Sequence, residues 1–300
     1  MTESTKLLSA EDRDRVARLQ WYARQVVEGL TVGTHRSPHK GFSVEFKEHR
    51  QYVRGDEIRS IDWKLFGKTD RLYIRQYEEE TNLRATLVVD QSGSMKYKGH
   101  QGDGVSKHDF AVRLAACLAY LFVGQHDAVG LATFDTTVQS YIPPRNRPSH
   151  LSGLLTMLAT SECGGETRLS DVISLLAPKI RSRGVVILIS DCFDDAESLL
   201  RSLSFLQHAH NDVVIFQVWH PDELTFPFYS RTQFRSLEKS SDQKVIDPHQ
   251  IRKAYLSNLE KYRQALSDGC KQRRISLIPC NTDQSHSSLL ASFISQRGIG

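Results

Sequence analysis

The chain is short of most features that would place a protein quickly. Its five cysteines, Cys117, Cys163, Cys192, Cys270 and Cys280, are odd in number, scattered, and form no C-x-x-C pair. Neither a zinc ribbon nor a disulfide framework is therefore indicated, and reduced thiols in a cytoplasm are the simplest expectation. Nine prolines and eighteen glycines in 300 residues are too few for a linker protein. Neither charge sign dominates: 39 Lys+Arg against 35 Asp+Glu leave a net +4. That excludes a highly charged disordered chain and argues against a dedicated nucleic-acid binder, which needs a strongly basic face. Long apolar runs are also missing. The longest, Leu114 to Gly124, lies between Arg113 and Gln125 and falls well short of the roughly 20 residues that span a bilayer. Residues Met1 to Arg13 are polar and charged, with no signal-peptide core, so the expected location is cytoplasmic.

What is present divides into two textures, 1–82 and 83–300. The first opens with an amphipathic helix over Ser9 to Leu30. Ser9 and Asp12 fit a capping box, and Val16, Leu19, Tyr22, Val26 and Leu30 recur at helical spacing. Short alternating segments follow, Phe42 to Phe46 and Leu72 to Ile74, which read as strands. Trp21, Tyr22, Phe42, Phe46 and Trp63 are expected in the core. From residue 83 onward, apolar strands (Arg84 to Val89, Ala128 to Phe134, Val185 to Ile189, Val213 to Trp219, Ile275 to Ile278) alternate with helices. A further strand is expected near Thr137 to Ile142, and one helix spans Leu169 to Ile180. This pattern predicts an α/β fold with a doubly wound, mainly parallel sheet flanked by helices. Pro221 to Asp247 interrupts the rhythm and reads as an insertion carrying a hairpin.

The chemistry concentrates at Asp90-Gln91-Ser92-Gly93-Ser94, where the first apolar strand ends. Ligands of parallel α/β sheets bind at the carboxyl ends of strands, above all at a topological switch point. One carboxylate and two hydroxyls are hard oxygen donors, with Gly93 expected to allow the tight turn. Such a set suits Mg²⁺ or Mn²⁺ rather than zinc or copper. Gly164-Gly165-Glu166-Thr167 adds a hydroxyl before a helix, and Asp191 closes a second apolar strand as Asp90 closes the first. An ordinary helix N-cap cluster is the competing account of Asp90, Ser92 and Ser94.

D-x-S-x-S, then G-G-x-T, then a strand-terminal Asp resembles the metal-ion-dependent adhesion site of von Willebrand factor A domains. The resemblance implies that Ser92 and Ser94 ligate the ion directly, and Thr167 directly or through water. Asp90 and Asp191 would act mainly through water, leaving one position for a partner's Asp or Glu carboxylate. Binding rather than catalysis is the implied output. Upstream, Gly55-Asp56-Glu57-Ile58-Arg59-Ser60-Ile61-Asp62-Trp63 matches the G-D-x-x-R-x-I-D-W hallmark of the domain-of-unknown-function 58 (DUF58) family. The resemblance covers roughly residues 30 to 295, with Arg54 departing from the proline often found there. It implies a von Willebrand A-like half and an adaptor or co-chaperone role beside a MoxR-type AAA+ ATPase.

Of the signature residues, Gly55 belongs to the turn. Asp56, Arg59, Asp62 and Trp63 read as a structural ion-pair and packing cluster joining the two halves, ahead of a direct partner contact. Asp62 is expected to pair with Arg59 or Arg71. Arg54-Gly55-Asp56 matches the integrin-binding tripeptide, which carries no weight in a cytoplasmic chain. His35, His39 and His49 lack zinc spacing. Asp194-Asp195 reads as a helix start.

Two other functional classes stay open at this point. A phosphoryl-transfer enzyme would use Asp90 as nucleophile, although its usual general acid two residues on is replaced by Ser92. A scaffold with a non-functional metal site is the other. No P-loop and no G-x-S-x-G elbow occurs.

Overall fold

The computed structural model describes residues 9–33, 46–53, 56, 61–77, 83–102, 104–165, 168–180, 183–229, 232–235, 237 and 243–297. The chain divides into two compact units, one of residues 1–36 with 83–300 and the other of residues 37–82. The helix grouped above with residues 1–82 thus belongs to the larger unit. This helix, α1 (Ala10–Gly33), is capped by Ser9, whose hydroxyl accepts the Asp12 N–H at 3.0 Å. Its stripe of Leu19, Ala23 and Val27 is buried in the core of the α/β unit, which explains the grouping. Trp21 lies off that stripe and is 62% exposed, contrary to its expected core position.

The smaller unit contains β1 (Phe46–Gln51), α2 (Trp63–Thr69) and β2 (Tyr73–Tyr77), with the two strands antiparallel. Helix α2 is not evident from the pattern. It is short and buries no residue, so Trp63 at its first position is 60% exposed, edge-on to Phe66, instead of in a core.

In the larger unit the order of elements is β3 (Arg84–Asp90), α3 (Lys107–Gly124), β4 (Ala128–Phe134), β5 (Val138–Arg145), α4 (Pro148–Ala159), α5 (Leu169–Leu176) and β6 (Gly184–Ser190). Then come α6 (Ala196–His208), β7 (Asn211–Trp219), α7 (Pro221–Thr225), β8 (Thr232–Arg235), β9 (Gln243–Ile246), α8 (Pro248–Gln272), β10 (Ser276–Asn281) and α9 (His286–Arg297). The Leu169–Ile180 segment is not one helix. Pro178 sits in a 3-10 turn, Ala177–Lys179, after α5 has ended.

Six strands form one sheet in the order β10-β7-β6-β3-β4-β5, with β5 antiparallel to β4 and the other pairings parallel. Side chains alternate between its faces. Ala85, Leu87 and Val89 of β3, with Val185, Ile187 and Ile189 of β6, pack with α1, α3, α4 and α9. Val88, Val186 and Leu188 face the opposite layer of α5, α6 and α8. This is the two-faced burial that near-continuous apolar strands demand. β8 and β9 pair antiparallel, so the expected hairpin lies within the 221–247 insertion.

The order of strands fixes where a ligand would bind. The chain runs from β3 outward through β4 and β5, then returns to place β6 on the other side of β3. The switch point is therefore the carboxyl end of the β3–β6 pair.

At the opposite, amino end of the same pair, close strand approach calls for a glycine. A Cβ on Gly184, at the start of β6, would lie 2.1 Å from the Arg84 carbonyl oxygen of β3. Gly184→Ala should cost about 1–3 kcal/mol by forcing the pair apart, read from the denaturation midpoint in urea.

Candidate functional site

Parallel pairing of β3 with β6 aligns Val89 with Ile189 and so brings the following residues, Asp90 and Ser190, level. The Ser190 hydroxyl donates to Asp90 Oδ2 at 2.5 Å, and the Ser92 N–H donates to Asp90 Oδ1 at 2.8 Å. Ser92 Oγ lies 3.0 Å from Ser94 Oγ, whose hydroxyl donates to Asp191 Oδ2 at 2.7 Å. Asp191 Oδ1 accepts the Phe193 N–H at 3.2 Å. Four of the five residues singled out in the sequence, Asp90, Ser92, Ser94 and Asp191, thus form one hydrogen-bonded chain across two strand ends. The fifth, Thr167, lies outside the described residues.

Its loop is nevertheless anchored nearby. The Gly93 N–H donates to the Gly165 carbonyl at 3.0 Å, and the Gly164 N–H donates to the Gln91 carbonyl at 2.8 Å. The left-handed backbone falls at Gly165 (φ +74°), where a Cβ would meet Thr136 at 2.8 Å. Gly93, expected to supply that freedom, instead opens a 3-10 turn, Gly93–Lys96.

Sequence reasoning missed the residue at the centre of the site. Lys107 opens α3, directly after the N-cap Ser106, and is wholly buried. Its Nζ donates to Asp191 Oδ2 at 2.8 Å and to Glu223 Oε1 at 2.7 Å, and sits 4.8 Å from the centre of the Phe193 ring. Glu223 in turn accepts the His220 N–H through Oε2 at 2.8 Å, which fixes the first turn of α7. One signal was available: a lysine at the positive end of a helix dipole is unfavourable unless a nearby anion holds it. Glu223 carries no comparable signal. Beside it, Asp222 accepts from the Tyr97 hydroxyl at 2.9 Å and the His100 N–H at 2.7 Å, tying the loop after Ser94 to the insertion.

Burial governs the protonation of these groups. Asp90 is 3% exposed, and desolvation together with the nearby Asp191 charge pushes its pKa up to about 7, against the lowering effect of the Ser190 and Ser92 bonds. Burial also raises Glu223, more than Lys107 lowers it. For Lys107, burial works against the ammonium, but Asp191 and Glu223 outweigh it and hold the pKa above the ordinary lysine value. The thiols are driven the other way from reactivity, with burial pushing Cys117 up to about 12 and Cys270 to about 11.

The signature residues serve local structure in what is described of them. Asp62 is buried and caps α2, its Oδ1 accepting from the Lys64 and Leu65 N–H groups at 3.0 and 3.1 Å. Asp56 Oδ2 accepts the Val53 N–H at 2.9 Å. Gly55 and Arg59 lie outside the described residues, as do His35 and His39. Asp195 caps α6 and Asp194 accepts the Ser170 N–H, so this acidic pair starts helices.

The model of the family described as "protein of unknown function DUF58" matches residues 48–265. The chain belongs to the DUF58 family. Uncharacterized proteins of Mycobacterium bovis and Mycobacterium tuberculosis are each 25% identical to this DUF58 chain over 287 residues, covering 94% of it and 88% of their own length. Among solved structures, the conserved hypothetical protein BatB from Bacteroides thetaiotaomicron aligns with a TM-score of 0.48 and 16% identity, over 73% of this chain and all of its own. An aerotolerance-related membrane protein from Bacteroides fragilis aligns with a TM-score of 0.46 and 17% identity, over 71% and 97%. Among the described residues of this DUF58 chain, no helix is long and apolar enough to cross a membrane.

The donor set can be tested against a hard divalent ion. Among the described residues no group of three or more His, Cys, Asp or Glu gathers to hold a metal, so hydroxyl oxygens would have to take part. In an octahedron with bonds of about 2.1 Å, neighbouring ligand oxygens lie about 3 Å apart. The Ser92–Ser94 separation of 3.0 Å has that spacing. An elevated Asp90 pKa also marks a place where added positive charge would be favourable. The residues fit Mg²⁺ or Mn²⁺.

A pH dependence follows. In the folded state the Asp90 pKa lies above its value in the unfolded chain, so the stabilisation is fully present below about pH 4 and is lost as pH rises through about 7. Metal-free protein should therefore lose thermal stability across that window, and Asp90→Asn should flatten the loss. An unchanged pH profile in Asp90→Asn would show that another group is responsible.

Proposed function

We propose that this DUF58 protein is a Mg²⁺- or Mn²⁺-dependent protein-interaction module with a von Willebrand factor A-like domain, acting in the cytoplasm as an adaptor or co-chaperone beside a MoxR-type AAA+ ATPase. The observation that carries the reading is the convergence of Asp90, Ser92, Ser94 and Asp191 at the β3–β6 switch point. Ser92 and Ser94 would hold the ion, with Asp90 and Asp191 completing its surroundings and Thr167 adding the last hydroxyl. A bound ion with few anionic ligands stays electrophilic, so an incoming Asp or Glu carboxylate from a partner gains more by joining it. The partner class rests on the family resemblance.

Two arrangements in the site suit binding better than turnover. Asp90 is 3% exposed, so a phosphoryl group has little access to its carboxylate. The position two residues on is Ser92, which cannot act as the general acid of an aspartyl-phosphate mechanism.

Metal at about 100 times its Kd should stabilise the fold by about 2.7 kcal/mol and raise the melting temperature by about 4 °C. Asp90→Ala should abolish the rise. A MoxR-type ATPase should be retained on the wild type with Mg²⁺ and lost with chelator or with Asp90→Ala. Equal retention with chelator would remove the metal from that contact. Mg²⁺-dependent hydrolysis of phosphate esters, lost in Asp90→Asn, would replace the interaction reading with an enzymatic one.

A further inference from the structure

Among the described residues, Lys107 has no access to solvent and is held between two acids, Asp191 and Glu223, at the candidate site. We infer that Lys107 is the resident counter-charge of this site: it loosens the hold on a divalent cation and keeps the loaded site from being net negative, which admits an acidic ligand. The inference rests on the divalent-cation reading and assigns to that site a residue outside the D-x-S-x-S, G-G-x-T and Asp set.

The argument begins with shared ligation. The Lys107 ammonium and the Ser94 hydroxyl donate to the same oxygen, Oδ2 of Asp191, at 2.8 and 2.7 Å. Asp191 therefore meets any cation held by Ser94 with part of its charge already neutralised. Buried like charges at such short range are poorly screened, because no solvent or salt separates them. Lys107 cannot easily withdraw. Its ammonium is held from the other side by Glu223 at 2.7 Å, and Glu223 is fixed to the first turn of α7 by the His220 N–H.

Net charge then decides what the loaded site attracts. Asp90, Asp191 and Glu223 in ionised form against Lys107 leave two net negative charges. A divalent ion cancels them, so a carboxylate approaching the electrophilic ion meets no net negative charge. Without Lys107 the loaded site would stay negative and repel the same carboxylate. The lysine thus trades affinity for the ion against selectivity for an acidic ligand. Phe193, 43% exposed and beside the ammonium, offers an apolar neighbour to such a ligand.

Calorimetric titration of the full chain with Mn²⁺ tests this, at about pH 8, above the Asp90 transition. Lys107→Met should bind Mn²⁺ at least tenfold more tightly than wild type, although its metal-free melting temperature falls. Lys107→Arg, which keeps the charge, should stay near wild type. Glu223→Gln should bind more weakly, and it carries the test if Lys107→Met does not fold. Replacing chloride with acetate at equal ionic strength should tighten Mn²⁺ binding in wild type and not in Lys107→Met. A purely structural lysine would lower stability without raising metal affinity. Equal Mn²⁺ affinity in wild type and Lys107→Met, with binding lost in Asp90→Ala, would overturn the counter-charge role and leave the cation reading intact. Binding by Lys107→Met alone would overturn the loaded wild-type site and the admission of an acidic ligand to it. No Mn²⁺ binding by either protein would overturn the cation reading and this inference with it.

Discussion

Parallel pairing of β3 with β6 is the constraint from which the rest of the site follows. Each strand is apolar through its length and ends in acid or hydroxyl groups, and their register brings those ends together. Burial and the neighbouring Asp191 charge oppose ionisation of Asp90 and, through it, the close pairing of the strands. The neighbouring groups answer that repulsion one by one. Ser190 and the Ser92 N–H serve Asp90, while Ser94, Lys107 and the Phe193 N–H serve Asp191. The proposed divalent ion would be a further answer of the same kind.

The buried ion pair also reaches beyond the strand ends. Removing one partner from such a pair typically costs about 3–5 kcal/mol, because the charge left behind stays buried and unpaired. Lys107 belongs to α3, which covers one face of the sheet, and Glu223 belongs to α7 at the start of the insertion. The same ammonium therefore links the strand end, the covering helix and the insertion. Tyr97, His100 and Asp222 add a second link from the loop after Ser94 to α7. This insertion, read from the sequence as an interruption carrying a hairpin, is in part a wall of the site.

Much of the fold was legible because burial leaves a local signature. The apolar strands and the stripe of α1 announce themselves residue by residue, and Asp90 and Asp191 stand where those strands end. The elements that escaped notice have no such signature. Helix α2 buries nothing, and Lys107 meets Asp191 across 84 residues and Glu223 across 116, a relation that only the folded sheet creates. Aromatic identity was a poor guide, since Trp21 and Trp63 are both exposed. Gly93 shows the same limit: a glycine in a loop motif does not reveal which glycine carries the left-handed turn, and here it is Gly165.

The sequence distance spanned by the site carries a consequence for how it comes into being. Asp90 meets Ser190 across 100 residues and Ser94 meets Asp191 across 97, so the segment 90–94, which carries three of the site residues, cannot complete the arrangement alone. Contacts of such long range are reached late, after the entropy of closing the intervening chain has been overcome. A nascent or half-folded chain therefore has no assembled cluster of acids with which to trap cations. The site comes into existence only with the completed central sheet, which makes its integrity a chemical signature of a finished fold.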